Sequence, residues 1–100
     1  MATATVLYPQ GAKFDMDYYL QTHMPLVQKH WGPIGLKSWK ITKIGDADAP
    51  FIVQATLEWA SMDEFKSASS GDTAKTVFGD IPNFCDKQPT VLTGSVVGQS

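Results

Sequence analysis

The nine residues from Phe51 to Trp59 alternate strictly. Phe51, Val53, Ala55, Leu57 and Trp59 fall on one face; Ile52, Gln54, Thr56 and Glu58 fall on the other. That is the period of a strand with one face against a core. Residues 3–8 (Thr-Ala-Thr-Val-Leu-Tyr) are β-prone and close in the turn Pro9-Gln10-Gly11. Residues 35–44 read as a further strand with imperfect alternation, and 45–50 (Gly-Asp-Ala-Asp-Ala-Pro) as the turn into the strictly alternating one. Residues 90–98 finish the chain as a strand.

Between these strands the period changes. Asp15 can cap a helix, Asp17 suits its first turn, and Phe14 with Tyr19 can form a hydrophobic staple. Met16, Tyr19, Leu20, His23, Leu26, Val27 and His30 then recur at helical spacing, which predicts a helix over about 15–30. Pro25 interrupts it. Proline lacks the amide donor and clashes with the carbonyl of Gln21, so a kink or a restart is expected there, and Gly32-Pro33 ends the element. Ser61-Met62-Asp63-Glu64 is a capping box that opens a helix to about 70. Asp72 is expected to cap a short helical piece ending near Phe78, followed by a long connection from Gly79 to Pro89.

The order β-α-β-β-α-β predicts an α+β, ferredoxin-like domain spanning 1–100, with a four-stranded antiparallel sheet and its helices on one face. The other face has no cover. Ile52 and the alternate residues of the last strand make it too apolar to leave wet, which predicts a homodimer through the open sheet face. At 100 residues and 43% apolar composition, the chain buries only about two thirds of its unfolded surface, so a partner subunit would help.

Composition narrows the function classes. The net charge of -2 comes from 10 acidic and 8 basic residues, and all the basic ones are lysine. Without a basic cluster, nucleic-acid binding is not expected. The lone Cys85 forms no internal disulfide and fits a reducing compartment. No apolar run approaches the roughly 18 residues of a membrane helix, and Met1-Ala2-Thr3-Ala4-Thr5 does not read as a signal peptide. A cytoplasmic protein without membrane contact is expected.

No GxGxxG, P-loop, GxSxG, HExxH or CxxC motif occurs, so no cofactor is expected. A metal site is rejected on geometry: His23 and His30 stand about 10 Å apart on a helix, too far for both to reach one zinc at roughly 2 Å. His23 is the residue that most invites chemistry. It lies in the apolar stripe one turn after Tyr19, next to the proline, and imidazole suits proton transfer near neutrality. The alternative is a satisfied core histidine, bonded to the freed carbonyl of Gln21 or to a tyrosine hydroxyl. His30 suits the helix C-terminus as a cap. Tyr8, Tyr18 and Tyr19 read as amphipathic core edges that could also donate to a ligand oxygen. Trp31, Trp39 and Trp59 read as packing residues unless a cleft exposes one. Asp80 and Asn83 read as turn formers, or as parts of a lid over a cleft. Cys85 has no neighbour in sequence that would activate it.

The run Phe14-Asp15-Met16-Asp17-Tyr18-Tyr19-Leu20-Gln21-Thr22-His23-Met24-Pro25-Leu26 resembles the signature of the EthD family of the dimeric α+β barrel superfamily. Phe14, the Tyr18-Tyr19 pair and His23-x-Pro25-Leu26 carry the likeness. Trp31-Gly32-Pro33 and Gly79-Asp80-Ile81-Pro82-Asn83-Phe84 resemble its fungal branch. The resemblance implies a ferredoxin-like protomer whose sheet pairs with a second into a barrel, with a ligand pocket between sheet and helices. Relatives of this kind resemble decarboxylases and dehydratases of aromatic polyketide pathways, and the domain is often filed among oxidoreductases. The expected function is a cofactor-independent enzyme, a lyase or isomerase, moving a proton on a small apolar, phenolic metabolite. His23 would be general acid or base with Tyr19 beside it, and Tyr8, Tyr18, Trp31, Asp80 and Asn83 would bind substrate. The alternatives are a non-catalytic ligand-binding or accessory protein to an oxygenase, and a cofactor-free monooxygenase.

Overall fold

The computed structural model describes residues 1–100. Strand β1 (Ala2–Pro9) lies inside a four-stranded sheet ordered β2-β3-β1-β4. Strand β2 spans Leu36–Lys43, β3 Phe51–Trp59 and β4 Thr90–Ser95. Every neighbouring pair is antiparallel. The β-α-β-β-α-β order therefore produces the expected ferredoxin-like α+β fold, because each crossover leaves a gap that the other half of the chain fills.

Register sorts the residues. Ala4 stands between Leu57 and Thr93, and Tyr8 pairs with Val53, so the apolar face of β3 continues onto β1 beneath the helices. Ala2, Ala4, Tyr8, Val53, Ala55, Leu57 and Trp59 are all buried there. The opposite face carries the expected Ile52 and, from the last strand, Leu92, with polar residues between them. Thr5 stands between Thr56 and Leu92, and Leu7 between Gln54 and Thr90, so Leu7, Ile52 and Leu92 sit among threonines and Gln54. Strand β4 also stops at Ser95, three residues short of expectation. Its partner strand runs out at Ala2, and the Val96 N–H makes a last bond to the Met1 carbonyl, at 3.0 Å.

The helical layer shows what Pro25 does. Asp15 caps α1 (Met16–Tyr18), its Oδ1 accepting the Tyr18 N–H at 3.1 Å. The next five residues, Tyr19–His23, form a wider π-helical turn in which the Met24 N–H reaches the Tyr19 carbonyl. Then α2 (Met24–Trp31) begins, with Pro25 in its first turn, where a missing donor costs nothing. The clash expected of the proline is thus taken up by a π-turn, a device frequent at functional sites. One consequence corrects the expected stripe: Tyr19, His23 and Met24 are buried, whereas Leu20 is 42% exposed.

Ser61 Oγ accepts the Glu64 N–H at 3.2 Å and opens α3 (Met62–Ser70), the serine half of the expected capping box. Helix α4 (Asp72–Gly79) follows directly, but Gly71 is its cap and Asp72 its first residue. Gly35 leads into β2 at φ +149°, where a side chain would also overlap the Glu64 carboxylate.

The connection after α4 is ordered by three ties. Ile81–Asn83 form a single 3₁₀ turn. The Asp15 N–H then donates to the Phe84 carbonyl at 2.8 Å, Phe14 bridges Cys85, and the Lys13 N–H donates to Asp86 Oδ1 at 2.8 Å. Residues 13–15 at the entrance to α1 are thereby fastened to residues 84–86. An aromatic cluster fills the joint: Tyr19 meets Phe14 at 4.9 Å and Phe84 at 4.8 Å between centroids, and Tyr8 edges against Tyr19 at 5.7 Å. No helix is long and apolar enough to cross a membrane.

Candidate functional site

The ties between the two segments bring Asp80 against His23. The imidazole Nδ1 lies 2.9 Å from Asp80 Oδ2. The other carboxylate oxygen, Oδ1, accepts from the Tyr18 hydroxyl at 2.7 Å and from Asn83 Nδ2 at 2.8 Å. His23 is only 4% exposed, and the Asp80 side chain 11%. The ring is stacked on Tyr19 at 5.3 Å and tilted against Phe84 at 4.5 Å.

Electrostatics assigns the protons. Burial would raise the Asp80 pKa, but the hydrogen bonds from Tyr18, Asn83 and His23 outweigh it and hold the carboxyl below its ordinary value. An ionised carboxylate only accepts, so Nδ1 carries the hydrogen and Nε2 is left with a free lone pair. Burial lowers the His23 pKa, and Asp80 opposes that lowering without cancelling it. Near neutral pH the ring is therefore an uncharged base with a fixed tautomer. Tyr18 is pushed up chiefly because its hydroxyl donates to Asp80. Desolvation raises the Tyr8 and Tyr19 phenols well above their ordinary value, so both stay protonated.

His23 also lines a cavity between the sheet and α2 and α4. Eleven of the twelve lining residues are hydrophobic, among them Tyr8, Tyr19, Met24, Trp31, Leu57 and Phe78. Its water-accessible volume is about 30 Å³, enough for a water molecule or two but not for a ring. Nε2 makes no hydrogen bond to any protein group. The site thus pairs an oriented base with a dry wall, and its phenols can meet charge that develops on a bound oxygen.

The expected site residues divide into two groups. His23, Tyr19, Tyr8 and Trp31 line the cavity. Tyr18, Asp80 and Asn83 do not; they join the network on the Nδ1 side of the imidazole. His23 bonds neither the Gln21 carbonyl nor a tyrosine hydroxyl, the two partners expected of a purely structural ring. Asp80 as the histidine's partner escaped the sequence, because 57 residues separate the two. The one local signal is the Asp80-x-x-Asn83 spacing around Pro82, which fixes the carboxylate through the Asn83 amide. Trp39 donates from Nε1 to Gln28 Oε1 at 3.1 Å, outside the cavity. Nowhere do three His, Cys, Asp or Glu side chains converge as a metal site would need.

No family model and no curated protein matches the sequence. Solved structures do match. An EthD-like protein from Ralstonia eutropha superposes with a TM-score of 0.84 at 27% identity, over 99% of this chain and 94% of that one. An ethyl tert-butyl ether degradation (EthD) family protein from Bacillus halodurans gives 0.77 at 25% identity, over 97% and 99%. Both support the EthD resemblance carried by Phe14 to Leu26. A dimeric ferredoxin-like protein of unknown function from Jannaschia shares the fold alone, with a TM-score of 0.68 at 14% identity over 95% and 98%.

The proton assignments set how stability responds to acid. His23 titrates at 6.5 when unfolded and lower when folded. Between those values the unfolded chain binds a proton that the native one refuses, so stability falls as pH drops through this window and levels off below it. Asp80, held below 3.8 when folded, adds a further loss as pH falls through its folded value. Urea midpoints measured from pH 7.5 downward should start to decline near pH 6.5, and His23→Gln should flatten that upper part. An unchanged upper slope in the variant would contradict the assignment.

Proposed function

We propose that the chain is a small cofactor-independent enzyme moving a proton on an aromatic or phenolic, polyketide-like metabolite. His23 acts as general acid–base, and Asp80 is the residue that positions it. The observation that carries this reading is the geometry of one ring: Nδ1 is tied to a carboxylate at 2.9 Å while His23 faces a wall that is otherwise hydrophobic. Such a base can take a proton from a substrate O–H or C–H at Nε2. Asp80 then balances the imidazolium that forms, and the Tyr8 and Tyr19 phenols donate to the substrate oxygen that gains charge. The proton then returns to another carbon in an isomerisation, to a departing hydroxyl in a dehydration, or to the carbanion left by a decarboxylation. The runs Trp31-Gly32-Pro33 and Gly79 to Phe84 favour the fungal branch of the EthD-like proteins.

A second reading, a ligand-binding or accessory protein, is favoured by one observation: apart from the phenols, His23 is the only titratable group on the cavity wall. Turnover separates the two. With a phenolic substrate found by product screening, His23→Gln should lower kcat by roughly 10²-fold or more, as loss of a general base does. Asp80→Asn should cost about 10- to 100-fold by releasing the tautomer. Full turnover by a folded His23→Gln protein would sink the catalytic reading.

The assembly follows from the sheet. We infer a homodimer through the open face, where Leu7, Ile52 and Leu92 lie among threonines and where dimeric ferredoxin-like neighbours share the fold. Sedimentation equilibrium should give twice the 10.9 kDa chain mass, and Leu92→Glu should return it to the monomer. A monomeric wild-type protein at micromolar concentration would contradict the dimer.

A further inference from the structure

The cavity wall also says which ligands can enter. We infer that this site takes its ring ligand in uncharged form and rejects carboxylates, so that its proton transfer is a dehydration or isomerisation of a neutral phenol or ketone, not a decarboxylation. This inference rests on the reading of the cavity as the substrate site.

All eight lysines lie outside the lining, and no acid or arginine joins it. A carboxylate carried into such a wall would lose its hydration and gain no cation. Tyr8 and Tyr19 carry no charge to offset it, and the one group that could pair with it ionically, His23, already spends its Nδ1–H on Asp80. A second carboxylate at Nε2 would have to share a single imidazolium with Asp80, two negative charges around one positive. A carboxylate about to leave must sit at the reacting carbon, beside His23 and therefore inside this wall. A neutral hydroxyl meets no such penalty. It can donate to Nε2 while its ring packs against Met24, Val27 and Leu57.

Entry requires one wall to move. A cavity that admits benzene measures on the order of 150 Å³, far above the 30 Å³ in the closed form. Phe78 is the wall residue placed to yield. It lies in the last turn of α4, is 38% exposed, and meets Trp31 only edge-on at 5.7 Å. Swinging that ring outward opens the cavity to solvent without disturbing the sheet.

The test compares 2-naphthol, 2-naphthamide and 2-naphthoate at pH 7.5, using titration calorimetry for affinity and the His23 ring resonances for location. The amide matches the carboxylate in size and shape and differs in charge. The expected result is saturable binding of 2-naphthol and 2-naphthamide, both moving the His23 signals, with 2-naphthoate at least about tenfold weaker. Phe78→Ala should tighten the two neutral probes by a similar factor. Naphthoate binding as well as naphthamide overturns the inference, as does failure of every probe to bind both wild type and Phe78→Ala. These outcomes are independent of turnover. Selective binding with His23-independent turnover would sink the catalytic reading alone, and equal binding with His23-dependent turnover would sink this one alone.

Discussion

One hydrogen bond, from His23 Nδ1 to Asp80 Oδ2 at 2.9 Å, is what the rest of the site depends on. Bonds to a charged partner contribute about 1.5–3 kcal/mol, and a buried imidazole N–H left without its acceptor costs a comparable amount. The bond also decides the chemistry. With Asp80 ionised, the proton must sit on Nδ1 and the lone pair on Nε2. Without Asp80, burial alone would act on the ring and either nitrogen could carry the hydrogen.

Two features of the backbone hold the pair together. Pro25 forces the turn before it to widen, and the π-turn over Tyr19–His23 sends Tyr19, His23 and Met24 inward together. On the other side, the bonds of residues 13–15 to residues 84–86 pin the 3₁₀ turn that presents Asp80. The aromatic cluster of Tyr8, Phe14, Tyr19 and Phe84 fills the space between, with Tyr19 and Phe84 packed against the imidazole. Local sequence choices and tertiary contacts therefore agree on one arrangement, which is how a chain of this length can keep a polar pair ordered inside a small core.

The strands, the capped helices and the sheet order were legible in the chain because each carries a short-range period or a cap: the alternation of β3, the Ser61–Glu64 box, the Asp15 cap. His23 stood out as the polar residue in an apolar stripe. What the chain could not disclose was long-range. Asp80 reads locally as a turn residue, and nothing within a few positions reveals that its carboxylate is aimed at a ring 57 residues earlier. The π-turn was hidden for a related reason. Pro25 announces a disturbance, but whether the helix bends or widens depends on what packs against Tyr19 and His23. The register of β4 against β1, which places Leu92 beside Thr5 and turns Val91 toward Val6, was hidden as well, because it is set by pairing and not by the strand's own pattern.

The central claim is that Asp80 fixes the His23 tautomer. Long-range ¹H–¹⁵N correlation spectra of the histidine side chains, recorded near pH 7.5 on wild type and Asp80→Asn, test it directly. The account predicts a single Nδ1–H tautomer for His23 in the wild type, with Nε2 at the shift of an unprotonated nitrogen, and an averaged or reversed tautomer in the variant. An Nε2–H tautomer in the wild type, or identical spectra for the two proteins, would contradict it.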